Sequence, residues 1–451
     1  MITQTLTIAR NALVESLRQP VMLLLVLLCG LMQVFNTWSA GFAMGLEDSG
    51  EVEGDNKLLL DIGLATVFVC GTILAAFIAT ATLSREIENK TVLTVVSKPI
   101  GRPLVILGKY LGVSGAILLA VSSMMLFLLI CIRHGVLSTA SDDPDMPVIT
   151  LGLAAVVIPL ALAAWCNFFY NWNFPQVAVM LILPCSLIAY LLALKLNAKW
   201  EWQDLSKEFK PQITTACLCL ALGMLVLTAV ALAASTRLTQ TLTIFLSLGV
   251  FLSSLLSNYF VGRYAFKNAP VGMIVVAEPA EPTHAPFDRP GHVYALQLRL
   301  PPNRPLPAGT SLYFGQNSNG FDLAVPAFPP FKGDPDKVQD TMGPDTPPGL
   351  IVTSAQGDRL TVELIGNSTL GVRRPPAHGD YAFLEPTRTN YVALALWGAF
   401  PNTHYFWLLD AVSQNQVVPW SHVGLIGLYA AAQIAVLLAL AVVLFQKRDV
   451  G

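Results

Sequence analysis

The stretch Leu58–Leu83 reads LLLDIGLATVFVCGTILAAFIATATL and holds one charged residue, Asp61, in 26 positions. A helix needs roughly 20 mostly apolar residues to cross the hydrocarbon core of a bilayer. Seven further segments of this kind are Pro20–Trp38, Leu111–Ile132, Val148–Phe169, Val177–Leu196, Thr214–Ser235, Leu242–Val261 and His422–Phe445. The sequence therefore predicts an all-α polytopic membrane protein with about eight transmembrane helices.

The composition supports a membrane protein. Hydrophobic residues make up 54% of the 451 residues, charged residues make up 12%, and the mean hydropathy is +0.59. Soluble domains carry about 25% charged residues, so apolar side chains replace about half of the usual charge. The net charge of −2 gives no reason to expect a nucleic-acid partner.

The fourth and fifth segments leave two interpretations open. Pro159 and Pro184 interrupt them, and only a short link, residues 170–175, separates them. They are either a kinked hairpin or two full crossings. The number of crossings is even in both cases, which places the two termini on one side of the membrane.

The distribution of lysine and arginine predicts the orientation, because positively charged loops stay in the cytoplasm. The loop between the second and third spans holds five such residues, and both terminal segments are also basic. The first opposite loop holds five acidic residues against Lys57. Lys199, Lys207 and Lys210 disagree with this pattern. The overall bias places both termini in the cytoplasm.

Residues 1–19 form an amphipathic pattern before the first span. Apolar residues recur at spacings of three and four, at Ile2, Leu6, Ala9, Leu13 and Leu17. At 100° per residue these positions share one narrow helical face. The pattern predicts an elbow helix in the cytoplasmic interface, with Arg10 and Arg18 as its basic residues. The alternative is an ordinary surface helix.

The composition changes between residues 262 and 396, which hold 19 of the 30 prolines and no cysteine. Short apolar or alternating runs lie between turn residues, at His292–Leu300, Ser311–Phe314, Gly349–Thr353, Arg359–Leu364 and Tyr381–Leu384. Such runs are typical of a β-sandwich or a small barrel. We expect an inserted extracytoplasmic β-rich domain here, followed by an outer interfacial segment, residues 397–421, and the last span with its tail, residues 422–451.

Sequence motifs for nucleotide or metal chemistry are missing. The sequence has no Gly-x-x-x-x-Gly-Lys-Ser/Thr phosphate loop and no His-Glu-x-x-His pair. The six histidines all map to the outer side without a ligand spacing, and the seven cysteines lie in apolar runs. We therefore predict no enzyme, no metal site and no disulfide framework. Charged residues are almost absent from the span centres, so a proton relay is not expected and energy must come from a partner.

The most informative connection is Ser84–Pro103, SREIENKTVLTVVSKPIGRP, within a cytoplasmic loop that we place at residues 84–110. Ser84 can cap a helix, and Glu86 and Lys90 form an i,i+4 pair. Lys98-Pro99 should end that helix, because a residue before proline avoids helical geometry. The result is a short charged helix joined to two spans, or a solvated connector.

This stretch resembles the signature loop of type-2 ATP-binding-cassette (ABC-2) exporter permeases. The resemblance rests on Glu86-x-Glu88-x-x-Thr91, on Val96–Arg102 (VSKPIGR) and on Gly108–Gly112 (GKYLG). Leu232–Leu238 (LAASTRL), Phe406–Ala411 (FWLLDA) and Leu444–Gly451 (LFQKRDVG) are similar to later parts of the same family, in the branch that includes permeases for multicopper-enzyme maturation. The similarity covers roughly residues 1–135, 212–262 and 400–451. The β-rich insert and the added fourth and fifth segments depart from the family.

The resemblance implies a permease subunit in a bacterial cytoplasmic (inner) membrane. It implies a coupling helix seated on a separate ABC ATPase, which would bind the ATP and Mg²⁺, and a second permease, identical or related, that completes a dimer. Carried onto this chain, Glu86, Glu88 and Thr91 would contact the ATPase, and Arg85, Lys98 and Arg102 would support the loop or meet lipid phosphate. This chain itself needs no cofactor.

Three hypotheses remain open at this point. The first is an exporter permease driven by that ATPase. The second is a mechanotransmitting or assembly scaffold, in which the ATPase drives the outer β domain to act on an extracytoplasmic envelope protein without transport. The third is a membrane anchor with no ATPase. The size of the insert favours the second hypothesis, and a polar lining at the dimer seam would favour the first.

Overall fold

The structure is a computed structural model, and it describes residues 2–39, 51–84, 101–136, 144–302, 305–332, 347–408 and 418–446. The chain divides into two compact units, a helical one of residues Met1–Leu255 and Pro401–Gly451 and a second one of residues Leu256–Phe400. The sequence-based prediction had placed the insert at residues 262–396.

The helical unit contains nine of the helices that the structure describes. They are α1 (Ile2–Leu17), α2 (Pro20–Ser39), α3 (Glu51–Ala79), α4 (Arg102–His134), α5 (Met146–Tyr170), α6 (Phe174–Lys195), α7 (Pro211–Ser235), α8 (Gln240–Leu255) and α11 (Trp420–Gln446). A π-helical turn, Thr80–Ser84, continues α3.

Among the described residues, seven helices are long and apolar enough to cross a membrane, and there is an eighth span if α8 and the following helix, Asn258–Ala265, form one bent crossing. The prediction of about eight apolar helices is confirmed. Pro159 and Pro184 lie inside the continuous helices α5 and α6, each of which has the length of a full span. Between them Asn171 adopts φ 53° and Asn173 caps α6, so polar side chains form the tight turn of this helical hairpin.

Buried aliphatic and aromatic residues form the core of the bundle. Phe68 on α3 is 2% exposed and makes an edge-to-face contact with Phe251 on α8, at 4.9 Å between ring centroids. Its ring also stacks on Trp407 at 5.9 Å. The segment before α11, which the sequence predicts to be interfacial, thus packs a partly buried side chain on the core.

The second unit is built around a six-stranded antiparallel sheet of strand order β4-β7-β2-β3-β6-β5. Its elements are α9 (Asn258–Ala265), β1 (Phe266–Lys267), β2 (Pro270–Pro279), β3 (Val293–Leu298), β4 (Tyr313–Gly315), β5 (Gly349–Gln356), β6 (Arg359–Ile365), β7 (Tyr381–Phe383), β8 (Arg388–Thr389) and α10 (Tyr391–Ala399). Strands β1 and β8 form a separate two-stranded ribbon.

Backbone hydrogen bonds join the two outermost strands of this sheet through the residues just before β4. Leu312 N donates to Leu350 O at 3.0 Å, and Val352 N donates to Thr310 O at 2.9 Å. The same stretch of chain continues into β4, which pairs with β7. The sheet therefore closes into a small barrel, one of the two architectures that the alternating runs had suggested. Phe314, Val362 and Phe383 are among the fully buried residues inside it.

Candidate coupling site at the helix ends

The predicted coupling segment is described only at its two flanks. Arg85, Glu86, Glu88, Thr91 and Lys98 lie outside the described residues, which stop at Ser84 and resume at Gly101. The structure therefore does not test their assigned roles. Residues 102–110, which the sequence analysis placed in the loop, belong to α4, because Pro103 suits the first helical turn and the apolar pattern continues from there.

Lys109 holds the flank that precedes the coupling segment. Lys109 is 5% exposed, and its Nζ donates a hydrogen bond of 2.6 Å to the carbonyl oxygen of Thr82 in the π-helical turn. A backbone carbonyl oxygen carries partial negative charge and can accept a hydrogen bond from a cation. A buried ammonium group on such a carbonyl stabilises both groups. α4 thus fixes the end of α3.

Two arginines hold the end of α11 in the same way. Arg102, the first residue of α4, donates from Nη1 to the carbonyl oxygen of Gln446 at 2.9 Å. Arg237, in the turn between α7 and α8, donates from Nε to the carbonyl oxygen of Leu444 at 2.9 Å. We call Arg102, Lys109 and Arg237 the basic helix-end cluster. Each of the three cations binds the C-terminal end of a helix.

A small apolar core lies beside this cluster. It contains Ile106 and Tyr110 from α4, Leu232 from α7 and Phe445 from α11, together with the end of α3. The Tyr110 hydroxyl donates to the carbonyl oxygen of Leu225 at 3.2 Å. Four helices are thus packed together next to the coupling segment, and a displacement of one of them must repack the others.

Helix α1 packs along a glycine face of α4 that includes the neighbour of Lys109. A Cβ at Gly108 would lie 2.8 Å from the Ile8 Cβ, and a Cβ at Gly112 would overlap with the carbonyl oxygen of Ala9 and lie 2.7 Å from the Ala12 Cβ. The absence of side chains lets the two backbones approach closely.

The face of α1 that packs on the bundle coincides only in part with the apolar face predicted from the sequence. Leu17 is 3% exposed and Leu13 packs against the core, but Thr5, Ala12 and Ser16 are also buried, whereas Leu6 is 59% exposed. Leu6 lies on the outside, which is where an interfacial helix would meet lipid. Arg10 is exposed, and Arg18 donates from Nε to the Gln176 Oε1 on α6 at 3.0 Å.

Lys109 and Arg237 lie inside the family-like motifs, but the sequence alone assigns no role to either residue. A signal was present for Lys109, since a lysine in an apolar helix is unusual unless its charge is paired. No local pattern predicts Arg237, because its partner, Leu444, lies 207 positions along the chain.

The described part of the bundle has a small cavity and no metal centre. In the part of the chain that the structure describes, no group of three or more histidine, cysteine or acidic residues could hold a metal ion. A cavity lined by Leu129, Arg133, Tyr190 and Glu208 has a volume of about 20 Å³. This is room for about one water molecule.

Comparison with known proteins points to one family. The family model described as ABC-2 family transporter protein matches residues 59–240, less than half of the chain. The match supports the ABC-2 permease family, whose members are membrane transport components that generally work with an ABC ATPase, but not a particular branch of it. No curated protein sequence and no solved structure matches.

Proposed function

We propose that this chain is the membrane-spanning permease subunit of an ABC-2 type exporter, powered by a separate ATPase that docks on the segment between α3 and α4. One observation carries the proposal. Residues from the three regions that resemble the family, around Lys109, Arg237 and Leu444, meet beside both flanks of that segment. The family match over residues 59–240 includes the segment itself.

The geometry suggests how force would travel. A push on residues 85–100 acts on the π-helical turn and on the first turn of α4, which Lys109 links directly. Arg102 and Arg237 carry the same displacement to the last turn of α11. Glu86, Glu88 and Thr91 would make the ATPase contacts, and ATP and Mg²⁺ would be bound by the ATPase alone.

Topology and partners complete the proposal. Both termini and the coupling segment lie in the cytoplasm of a bacterium, and the sheet-rich unit lies outside its cytoplasmic membrane. A second permease completes the dimer. The solute path would lie along the seam between the two permeases.

Charge reversal in the coupling segment tests the proposal. The double variant Glu86→Lys plus Glu88→Lys should abolish co-purification of the ATPase from the native membrane. The matched control, Glu278→Lys plus Glu281→Lys, places the same reversals on exposed residues of the second unit and should retain the ATPase. Full recovery of the ATPase with the first variant, or no ATPase with the parent protein, would overturn the proposal.

A mechanotransmitting scaffold is the second candidate, and the size of the second unit favours it. Residues Leu256–Phe400 form a compact unit with their own core, beyond what a connection between two spans requires. Deletion of residues 268–387 separates the two functions. A permease should keep ATPase-dependent solute export after the deletion, whereas a scaffold should lose its effect on the envelope partner while the ATPase stays bound.

A further inference from the structure

The second unit exposes an apolar and basic surface at the place where the chain enters and leaves it. Helix α9 and strand β1 lead in, and strand β8 and helix α10 lead out. Phe266 pairs with Thr389 in the ribbon, and Asn390 N donates to the carbonyl oxygen of Ala265 at 2.8 Å. The two helices also pack on each other, since a Cβ at Gly262 would lie 3.4 Å from the Trp397 ring. We call α9, β1, β8 and α10 the base.

Large apolar side chains of the base are exposed. On α10, which has no charged residue, Tyr391 is 79% exposed, Val392 72% and Leu396 63%. On α9, Tyr259 and Phe260 are 64% and 54% exposed. Monomeric soluble proteins rarely leave such a cluster in water, so something apolar must cover it.

The charges of the base limit what that cover can be. The Arg263 guanidinium lies 4.8 Å from the ring centroids of both Tyr259 and Tyr264, and its Nη2 donates to the Tyr264 hydroxyl at 2.8 Å. Lys267 and Arg388 are register partners in the ribbon. Like charges directly opposite each other destabilise a strand pair unless an anion lies between or above them.

Neither charge of this pair is neutralised strongly by the protein. Arg388 pairs with Glu385 at 3.1 Å, but both side chains are mostly exposed, and such a pair contributes little. In the part of the chain that the structure describes, Lys267 has no ion-pair partner. The base therefore presents unneutralised positive charge next to exposed tyrosine rings.

We propose that the base is seated in the headgroup layer of the membrane that the bundle spans, where Arg263, Lys267 and Arg388 bind the phosphates of anionic lipids. The combination of tyrosines, aliphatic side chains and cations is the one that the boundary between headgroups and acyl chains accommodates. The order of the helices also supports a lipid environment for the base. Helix α8 leads into α9, and the two together have the length and composition of one bent span.

Depth-dependent fluorescence quenching in the full-length protein tests this proposal. A bimane probe is attached at Val392→Cys in a variant whose seven native cysteines are replaced by alanine, and the protein is placed in nanodiscs with spin-labelled lipids. The control probe is attached at Gln356→Cys, at the exposed end of β5. The probe at 392 should be quenched at least about twofold more than the probe at 356, with spin labels near the headgroup the most effective.

The charge is tested in the same nanodiscs. Spin-labelled phosphatidylglycerol should quench the probe at 392 about twofold more than spin-labelled phosphatidylcholine, as expected for a few cations near an anionic surface. The triple variant Arg263→Gln, Lys267→Gln and Arg388→Gln should remove this preference, and the matched control Arg299→Gln, Lys332→Gln and Arg359→Gln should keep it.

Three results would overturn the proposal. The first is equal, weak quenching at 392 and 356, which would place the base away from lipid. The second is an unchanged lipid preference in the triple variant. The third is efficient 392-to-392 crosslinking between chains, which would make the base an interface between two copies. None of these measurements involves the ATPase, so failure here is distinct from failure of the proposed transport function.

Discussion

Lys109 links the packing of the bundle to the π-helical turn that precedes the coupling segment. Its ammonium group is buried, so it must be hydrogen-bonded, and one of its acceptors, the Thr82 carbonyl oxygen, belongs to the last turn before the coupling segment. A charge-assisted hydrogen bond of this kind is worth more than a neutral one. The position therefore demands a long cation, which no apolar residue can replace.

We predict that Lys109→Met lowers the stability of the helical unit by about 2 kcal/mol, because the Thr82 carbonyl oxygen loses a charged donor. Thermal aggregation of the detergent-solubilised protein, followed by size-exclusion chromatography, measures the loss. The control Lys207→Met removes a lysine that is exposed in the loop between α6 and α7, and it should melt like the parent. Equal melting of both variants would contradict the role given to Lys109.

Glu363 on β6 gives the barrel a dependence on pH. Burial raises the pKa of this carboxyl above its ordinary value, and the neighbouring His284 opposes the shift. A raised pKa means that the folded state favours the protonated form, so the stabilisation is complete below about pH 4.5 and is lost as the pH rises through the folded pKa.

Glu363→Gln should therefore slow amide hydrogen exchange in β3 and β6 at about pH 7. The free energy of opening should rise by less than about 1 kcal/mol, because the group is half-buried. The difference between the variant and the parent should vanish at about pH 4. Exchange is compared at matched pH, with Glu278→Gln on an exposed position of β2 as the control. A difference that grows toward acid pH would refute the assignment.

At the scale of single elements, the sequence predicts helices better than it predicts strands or their partners. The spans were found because a bilayer imposes one length and one composition, and the proline-containing α5 and α6 follow the same rule. Strand β2, the longest one, was missed because prolines lie at both of its ends, Pro270 and Pro279, and Gly272 breaks the alternation. A helix over residues 2–17 is confirmed, but its predicted apolar face coincides only in part with its packing face, since Leu17 is buried whereas Leu6 is exposed and the small residues Thr5, Ala12 and Ser16 are buried.

The contact between α1 and α4 yields a prediction at this scale. Gly112→Leu should detach α1, because a side chain there overlaps with the Ala9 backbone. Hydrogen exchange in residues 2–17 should rise by at least about tenfold, while exchange in α7 stays unchanged. The control is Gly249→Leu on α8, where a Cβ would meet nothing within 4 Å. Unchanged protection of α1 in the first variant would show that the close approach is dispensable.

For the whole molecule, the sequence predicts an even number of crossings and a large insert, but it does not predict which distant residues meet. The contacts of Arg102 and Arg237 with α11 join positions separated by 344 and 207 residues. No periodicity records such pairs, because they depend on how all the helices pack. The family resemblance indicates the coupling segment, and the packing of the helices shows which residues join the helices next to it.

The orientation of the whole chain in the membrane can be tested by cysteine labelling. In a cysteine-free background, Lys90→Cys should react with a membrane-impermeant maleimide only after the cytoplasmic face is opened. Gln356→Cys should react in intact cells, as an exposed residue of a unit on the opposite face does. Labelling of both positions from the same side would refute the topology on which the transport proposal depends.

The ribbon of β1 and β8 has one more consequence. Because the strands that lead into and out of the second unit are hydrogen-bonded neighbours, a tight turn of a few residues can replace everything between Lys267 and Arg388 without moving the points where the helices resume. A unit inserted between two paired strands can be gained, exchanged or lost during evolution in one genetic step. Lineages that share the helical unit are then free to carry different inserted units, or none, at this position.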